Sequence, residues 1–279
     1  MECEILELND RKIRFILRGV TAPLANALRR IMIAEVPILA LDEIIIIENS
    51  SLMDDEILAH RLGFIPIKTD LDAYDFPDNL DDAQKSSVLF TLEAEAGDSV
   101  RTVYSSELIS QDPKTEPANG NIPIVKLAPK QRIHLEAYAR LGQGKENVKW
   151  QPTSACTYKY FPEIKIDSKK CDACGKCVSI CPKGILSIKD GELKIENQMR
   201  CTLCKDCEKE CPLDPPAIKI EQENGVFIFY VESTGALKVE RIVLEAAKIL
   251  DMKARSFVSQ LSSIKALEGG KAENEVESG

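Results

Sequence analysis

The chain has 279 residues and a formal net charge of −9. That acidity excludes a chain that grips nucleic acid by itself, which needs clustered Lys and Arg. The length allows about two domains, and no apolar run reaches transmembrane length, Ile44–Ile47 being far too short.

In chain order, Cys3–Leu8 and Lys12–Arg18 predict two strands joined at Asn9-Asp10, a turn-prone pair. Ile13, Phe15 and Leu17 fall on one face of the second. A helix follows from about Thr21 to just before Pro37, with Pro23 in its first turn, where a missing N–H costs nothing. Leu24, Ala27, Leu28, Ile31 and Met32 make its apolar stripe. Arg29 and Arg30 lie off that stripe and read either as a solvated face or as a pair that meets a partner's carboxylates. Leu39–Glu48, with Ile44 to Ile47 consecutive, predicts a strand buried on both sides. Asp54–Ile67 predicts a short helix and a loop closing at Pro66. Asp70, Asp72, Asp75, Asp78, Asp81 and Asp82 then crowd a solvated loop whose spacing does not match a calcium loop.

Val88–Glu95 and Val100–Ser105 predict a hairpin turning at Gly97-Asp98. A Pro-, Asn- and Gly-rich loop, Asp112–Asn121, precedes two more strands at Ile122–Leu127 and Arg132–Ala139. Gly142-x-Gly144 lacks the strand–helix setting of a nucleotide fingerprint. His60 and His134 have no triad partners near them in sequence and read as ordinary core or surface histidines.

The dominant feature comes next. Cys171-x2-Cys174-x2-Cys177-x3-Cys181-Pro182 returns as Cys201-x2-Cys204-x2-Cys207-x3-Cys211-Pro212, thirty residues later. This is the spacing of bacterial two-cluster ferredoxins, in which the fourth Cys of each run ligates the other cluster. It assigns Cys171, Cys174, Cys177 and Cys211 to one 4Fe–4S cluster, and Cys201, Cys204, Cys207 and Cys181 to a second. Zinc is the competing occupant, since paired C-x2-C is also a zinc spacing. Zinc gives no reason for the third Cys, the fourth and the Pro, twice over. Of the ten cysteines only Cys3 and Cys156 remain, and both read as small apolar residues. Cluster thiolates and the absence of a recognisable secretory leader point to a reducing, cytoplasmic setting.

Val226–Val231 predicts an apolar strand, after which Ser233 or Thr234 opens a long helix. Val239, Val243, Ala246, Leu250, Phe257, Leu261 and Ile264 form a near-heptad seam along it. Roughly 30 residues give about 45 Å of helix, longer than one small domain needs, so a partner is expected along it. The two ends of the chain each lack a core, and packing them together supplies one. The expectation is therefore an α+β chain. Residues 1–49 with 223–265 form a discontinuous domain, 50–166 an inserted mostly-β domain, 167–222 a ferredoxin-like domain and 266–279 a disordered tail.

The stretches LANALRRIM (Leu24–Met32), EILAHRLGFIPI (Glu56–Ile67), YSSELISQDP (Tyr104–Pro113), GKENVKWQP (Gly144–Pro152) and FYVESTG (Phe229–Gly235) resemble the D-subunit family of archaeal DNA-directed RNA polymerases. That family is the counterpart of the bacterial alpha amino-terminal domain. The resemblance runs in order from about Glu2 to Ile264 and departs at Asn147-Val148, where His-Ala is expected. It implies that the discontinuous domain pairs with the small polymerase subunit L as an alpha-like heterodimer. It also implies that the inserted domain touches the small subunit N and the second-largest subunit, with no direct DNA contact. It implies no active site here, the catalytic magnesium being held by the largest subunit. The residues expected at the partner interface are Leu24, Leu28, Arg29, Arg30, Ile31, Met32, Val243, Leu250, Phe257 and Leu261. No carboxylate cluster, activated nucleophile or phosphate loop is legible outside the Cys motifs, which agrees with a non-catalytic subunit. The cysteine motif taken alone favours a different function, a ferredoxin-type electron carrier for an oxidoreductase.

Overall fold

The computed structural model describes residues 1–74 and 87–274, so the acidic loop from Asp75 to Asp82 lies outside the described residues. Strands β1 (Glu2–Leu8) and β2 (Lys12–Arg18) form as the sequence predicts. The Asn9 side chain closes the turn between them, accepting N–H bonds from Arg11 and Lys12 at 2.9 and 2.8 Å. Two long strands complete a sheet of order β1-β2-β12-β9: β9 (Thr153–Ile166), which the sequence hid, and β12 (Ile218–Ser233), which contains and extends the strand predicted at Val226–Val231. Pro162 masks β9, because a proline argues against a central strand; β9 lies at the sheet's edge, where its missing N–H is tolerated.

The second four-stranded sheet has the order β3-β8-β4-β6, from β3 (Ile38–Asn49), β8 (Arg132–Gly142), β4 (Val88–Glu95) and β6 (Ile109–Ser110). Alternation sends Phe90, Leu92, Ile133, Leu135 and Ala137 into one core, closed by Leu58 and Leu62 of α2 (Asp55–Gly63). Two expectations fail here. The isoleucine run packs on one face only, because the core covers one face of this sheet: Ile44 and Ile46 pack on it, while Ile45 and Ile47 on the other face are exposed. Nor does the segment after β4 fold back on it. β5 (Arg101–Tyr104) pairs instead with β7 (Pro123–Leu127), because both sides of β4 are already taken, by β8 and β6.

Helix α1 (Ala22–Ala34) has the expected position. Two short helices, α3 (Lys176–Ile180) and α4 (Asp206–Lys209), and a hairpin of β10 (Leu186–Lys189) with β11 (Glu192–Ile195) lie in the cysteine segment. The long helix α5 spans Val239–Asn274. It starts later than expected because Ser233 bonds a turn instead of a helix end: its hydroxyl donates to Leu237 O and accepts from Gly235 N–H, at 2.5 and 2.9 Å. The tail expected at 266–279 is helical as far as Asn274 and otherwise lies outside the described residues. Two compact units result, each from separated segments. One comprises Met1–Leu6, Arg14–Ala25 and Tyr158–Phe229; the other comprises Glu7–Ile13, Asn26–Thr157 and Tyr230–Gly279.

The lone tryptophan organises the end of β8. Trp150 is buried, with the Arg140 guanidinium 4.3 Å and the Lys149 ammonium 4.5 Å from its ring centre. Both cations also bond the Asp42 carboxylate, and the indole N–H donates to Arg140 O at 3.1 Å. A Cβ on Gly142 would stand 2.3 Å from the ring, so only glycine admits this packing. Gly142→Ala is expected to cost about 2–3 kcal/mol by overpacking, measured by urea unfolding. Burial pushes the Asp42 carboxyl up, but Lys149 and Arg140 outweigh it and hold it below its ordinary value. Its contribution is therefore present above about pH 4 and lost as pH falls through the folded-state value. Unfolding curves taken down to about pH 2.5 should show a shallower acid loss in Asp42→Asn than in the unsubstituted chain.

Candidate functional site

The strongest constellation is the cysteine segment. Its first run starts from the end of β9, where Asp167 O accepts from Cys171 N–H at 3.0 Å. The chain passes α3, returns through the β10–β11 hairpin and reaches the second run by a 3₁₀ turn, Gln198–Arg200. One small cavity is lined by Cys171, Cys174, Cys177 and Cys211. A second is lined by Cys181, Cys201, Cys204 and Cys207. These are the two sets assigned from spacing, including the exchange of the fourth cysteine.

The two runs also share a backbone conformation. Ala173 and Leu203 have φ of 53° and 60°, and Gly175 and Lys205 have φ of 81° and 63°. Equivalent positions of both runs are thus left-handed, three of the four without the excuse of glycine. Such residues cost on the order of 1 kcal/mol or more each and persist where a site over-determines them. Left-handed turns of this kind aim successive N–H groups into a concavity that suits an anion. Leu203 N–H donates to Cys201 Sγ and Ala217 N–H to Cys211 Sγ, each at 3.4 Å.

Electrostatics reports the same grouping. Burial raises the Cys177 thiol, and the neighbouring Cys171, Cys174 and Cys211 raise it further. Burial, then Cys181, Cys201 and Cys204, push Cys207 up to about 11. Four thiolates so placed repel one another, so an arrangement that holds them ionised must supply positive charge. Among the described residues no three His, Cys, Asp or Glu side chains are gathered to hold a single metal ion. Each set of thiols is spread around its cavity instead.

Sequence reasoning missed Lys159. This half-buried ammonium on β9 donates to Met199 O and Cys201 O at 2.6 and 2.7 Å, pinning the start of the second run. Burial lowers its pKa and the Cys201 sulfur opposes that. The only sequence signal was a lysine amid the aromatics of TYKYF (Thr157–Phe161).

The expected partner-facing residues divide. Ile31 and Met32 are buried within the chain itself, so they cannot meet a partner as expected: the α1 stripe is wider than the face left open. Leu24 and Arg30 are exposed, and Leu28 and Arg29 are half-buried. On α5, Val239, Ile242 and Ala246 are buried, and Val243 and Leu250 half-buried. Beyond Leu250 the apolar residues stand in the open: Phe257 is 62% exposed and Leu261 45%, beside Met252 and Val258. Lys253 pairs with Glu35 at 2.5 Å, tying α5 to the residue after α1.

Residues 14–254 match the RNA polymerase Rpb3/Rpb11 dimerisation domain, and the chain belongs to that family. Its relatives are polymerase subunits over nearly the whole length. DNA-directed RNA polymerase subunit Rpo3 of Methanosarcina acetivorans is 41% identical over 272 residues, covering 95% of this chain and 99% of the relative. The Rpo3 of Pyrococcus furiosus is 40% identical over 266 residues, covering 95% and 98%. A eukaryotic relative, the rpac1 subunit of DNA-directed RNA polymerases I and III of Dictyostelium discoideum, is 36% identical over 282 residues, covering 93% and 81%. The likeness to the archaeal polymerase subunit legible in the sequence is therefore real. Among the described residues no helix is long and apolar enough to cross a membrane.

Cys156 behaves as an apolar core residue: it is buried, its Sγ lies 3.8 Å from Arg29 O, and burial pushes its thiol up to about 12. Iodoacetamide at about pH 8 should leave Cys156 unmodified in the native chain while labelling exposed Cys3. Both should label in urea, as read by mass spectrometry of the peptides.

Proposed function

We propose that this chain is a non-catalytic assembly platform of a cytoplasmic DNA-directed RNA polymerase. The observation that carries the reading is α5. Its first turns are buried, and then an apolar seam at Met252, Phe257, Val258 and Leu261 runs on with none of the described residues covering it. A seam of that kind on a member of a dimerisation family serves a partner. The partner in this reading is the small subunit L, met by α5 and by Leu24, Leu28, Arg29 and Arg30 of α1. The small subunit N and the second-largest subunit bind elsewhere on the platform.

The same proposal assigns a 4Fe–4S cluster to each cysteine set and a ferredoxin-like fold to the segment around them. The support is the donor chemistry: four thiols around each cavity, left-handed residues at equivalent positions of both runs, and one N–H···S bond at each site. Such clusters act here as staples. The core of the segment holds Ile164, Ile185, Leu186, Ile218 and Ile220 together with Cys177, Cys201 and Cys207, too small a group to hold a domain without cross-links. Loss of a cluster would then loosen the docking surface and make assembly sensitive to oxidants.

Two variants test the parts separately, by co-purification of subunits from an anoxic reconstitution. Phe257→Asp should weaken pairing with L by at least about tenfold, as for loss of one buried anchor. The double variant Cys174→Ser with Cys204→Ser should keep L and lose the second-largest subunit. Equal recovery of every subunit by both variants would sink the proposal.

A further inference from the structure

The two cysteine sites repeat each other in sequence but not in charge, and on the cluster reading above this makes them unequal toward an electron. Reduction potentials of such clusters follow cluster type, hydrogen bonds to sulfur, solvent exposure and nearby charge. The first three are matched here. Both sites offer four thiols on the same spacing. Each has one N–H···S bond at 3.4 Å. Exposure is close to equal as well. Cys174 and Cys204 are exposed, Cys177 and Cys207 are both buried, and Cys211 and Cys181 are both intermediate; only Cys201 is more covered than Cys171.

Charge is what differs. The only charged residue lining the first cavity is Asp172, whereas Lys183 and Lys205 line the second. The backbone leading into the first run is held by Asp167, whose Oδ1 accepts from Lys169 N–H at 3.1 Å and whose Oδ2 lies 3.9 Å from Lys170 Nζ, so that its charge is offset and Asp172 is what sets this site's sign. The corresponding backbone of the second run is held by the Lys159 ammonium, on carbonyls and with no carboxylate paired to it among the described residues. Arg14 and Lys183 stand close enough to act on Lys159 as like charges. Opposing charges exist and do not face the cavities: Lys176 on α3 and Asp206 on α4 are outside both linings. The Glu208 carboxylate is taken by Ile220 N–H at 3.3 Å. Lys183 and Lys205 are exposed and screened by salt. Lys159, half-buried, is screened less and bonds the Cys201 carbonyl directly.

We propose that Lys159 is a positioning and charge-tuning residue that makes the site of Cys181, Cys201, Cys204 and Cys207 the first of the two to accept an electron. A low-potential one-electron donor gives one electron to the iron–sulfur core there. No proton is taken up and no iron–thiolate bond breaks, so the site gains one negative charge, which the three lysines stabilise. The site of Cys171, Cys174, Cys177 and Cys211, beside Asp172, resists the same gain.

The test is a dithionite titration of the full chain, loaded anoxically with iron and sulfide, followed by electron paramagnetic resonance with iron counted in each sample. Two separate one-electron steps are expected. The step at higher potential should vanish in Cys204→Ser and survive in Cys174→Ser. Lys159→Met should move that step down by about tenfold in equilibrium constant, 59 mV for a one-electron couple, and Lys159→Arg should restore it. Lys183→Gln, at the surface, should move the same step down by less, and it decides the matter if Lys159→Met fails to load the second site. A higher-potential step that survives Cys204→Ser, or a single unsplit step, would overturn this inference while leaving about eight irons per chain in place. Negligible iron in the unsubstituted chain would overturn the cluster reading itself, and this inference with it.

Discussion

The exchange of the fourth cysteine is the constraint on which the cysteine segment depends. Cys211 closes the cavity of the first run and Cys181 that of the second, so neither run can complete a site alone. The chain between them has to return, which it does through β10 and β11, and the start of each run has to be fixed. Asp167 fixes one and Lys159 the other. Three of the cysteines are themselves core residues alongside five aliphatic side chains. Whatever the thiols hold is thus part of the packing, and a segment this small has little else to keep it folded.

A second constraint acts on α5. At 36 residues it is about 54 Å long, and the chain's own core covers Val239, Ile242 and Ala246 before running out. Met252, Phe257, Val258 and Leu261, which follow, are left over. The same economy shows on α1, where Ile31 and Met32 are consumed by the chain's interior and Leu24, Leu28 and the two arginines are not. The surface available to a partner is what remains after the fold has taken its share, and membership of a dimerisation family says what such a remainder is for.

Much of this was legible in the sequence. The cysteine spacing grouped the same four thiols that line each cavity, because the motif is a local pattern, three thiols at x2 and a fourth at x3. Three of the helices, α1, α2 and α5, were legible from periodicity and from Pro23 and Pro37, while the short α3 and α4 were not. What escaped was long-range. Pairing of β5 with β7 instead of β4 depends on which edges β8 and β6 already occupy, and no local pattern records that. Ile44–Ile47 looked buried on both sides because four isoleucines give no alternation to read, whereas a sheet covered on one face exposes every second one. Pro162 concealed β9. Lys159 was invisible because its partners, two backbone carbonyls about forty residues away, leave no mark on side-chain patterns.

The central claim is that one chain joins a dimerisation surface to a pair of cluster sites within a polymerase. The most direct measurement is an anoxic pull-down of the tagged chain from its own host, with subunits identified by mass and iron and acid-labile sulfide counted. Recovery of a multi-subunit RNA polymerase with about eight irons per copy of this chain is the predicted result. Recovery with an oxidoreductase and no polymerase subunits, or of a polymerase with zinc in place of iron, would contradict it.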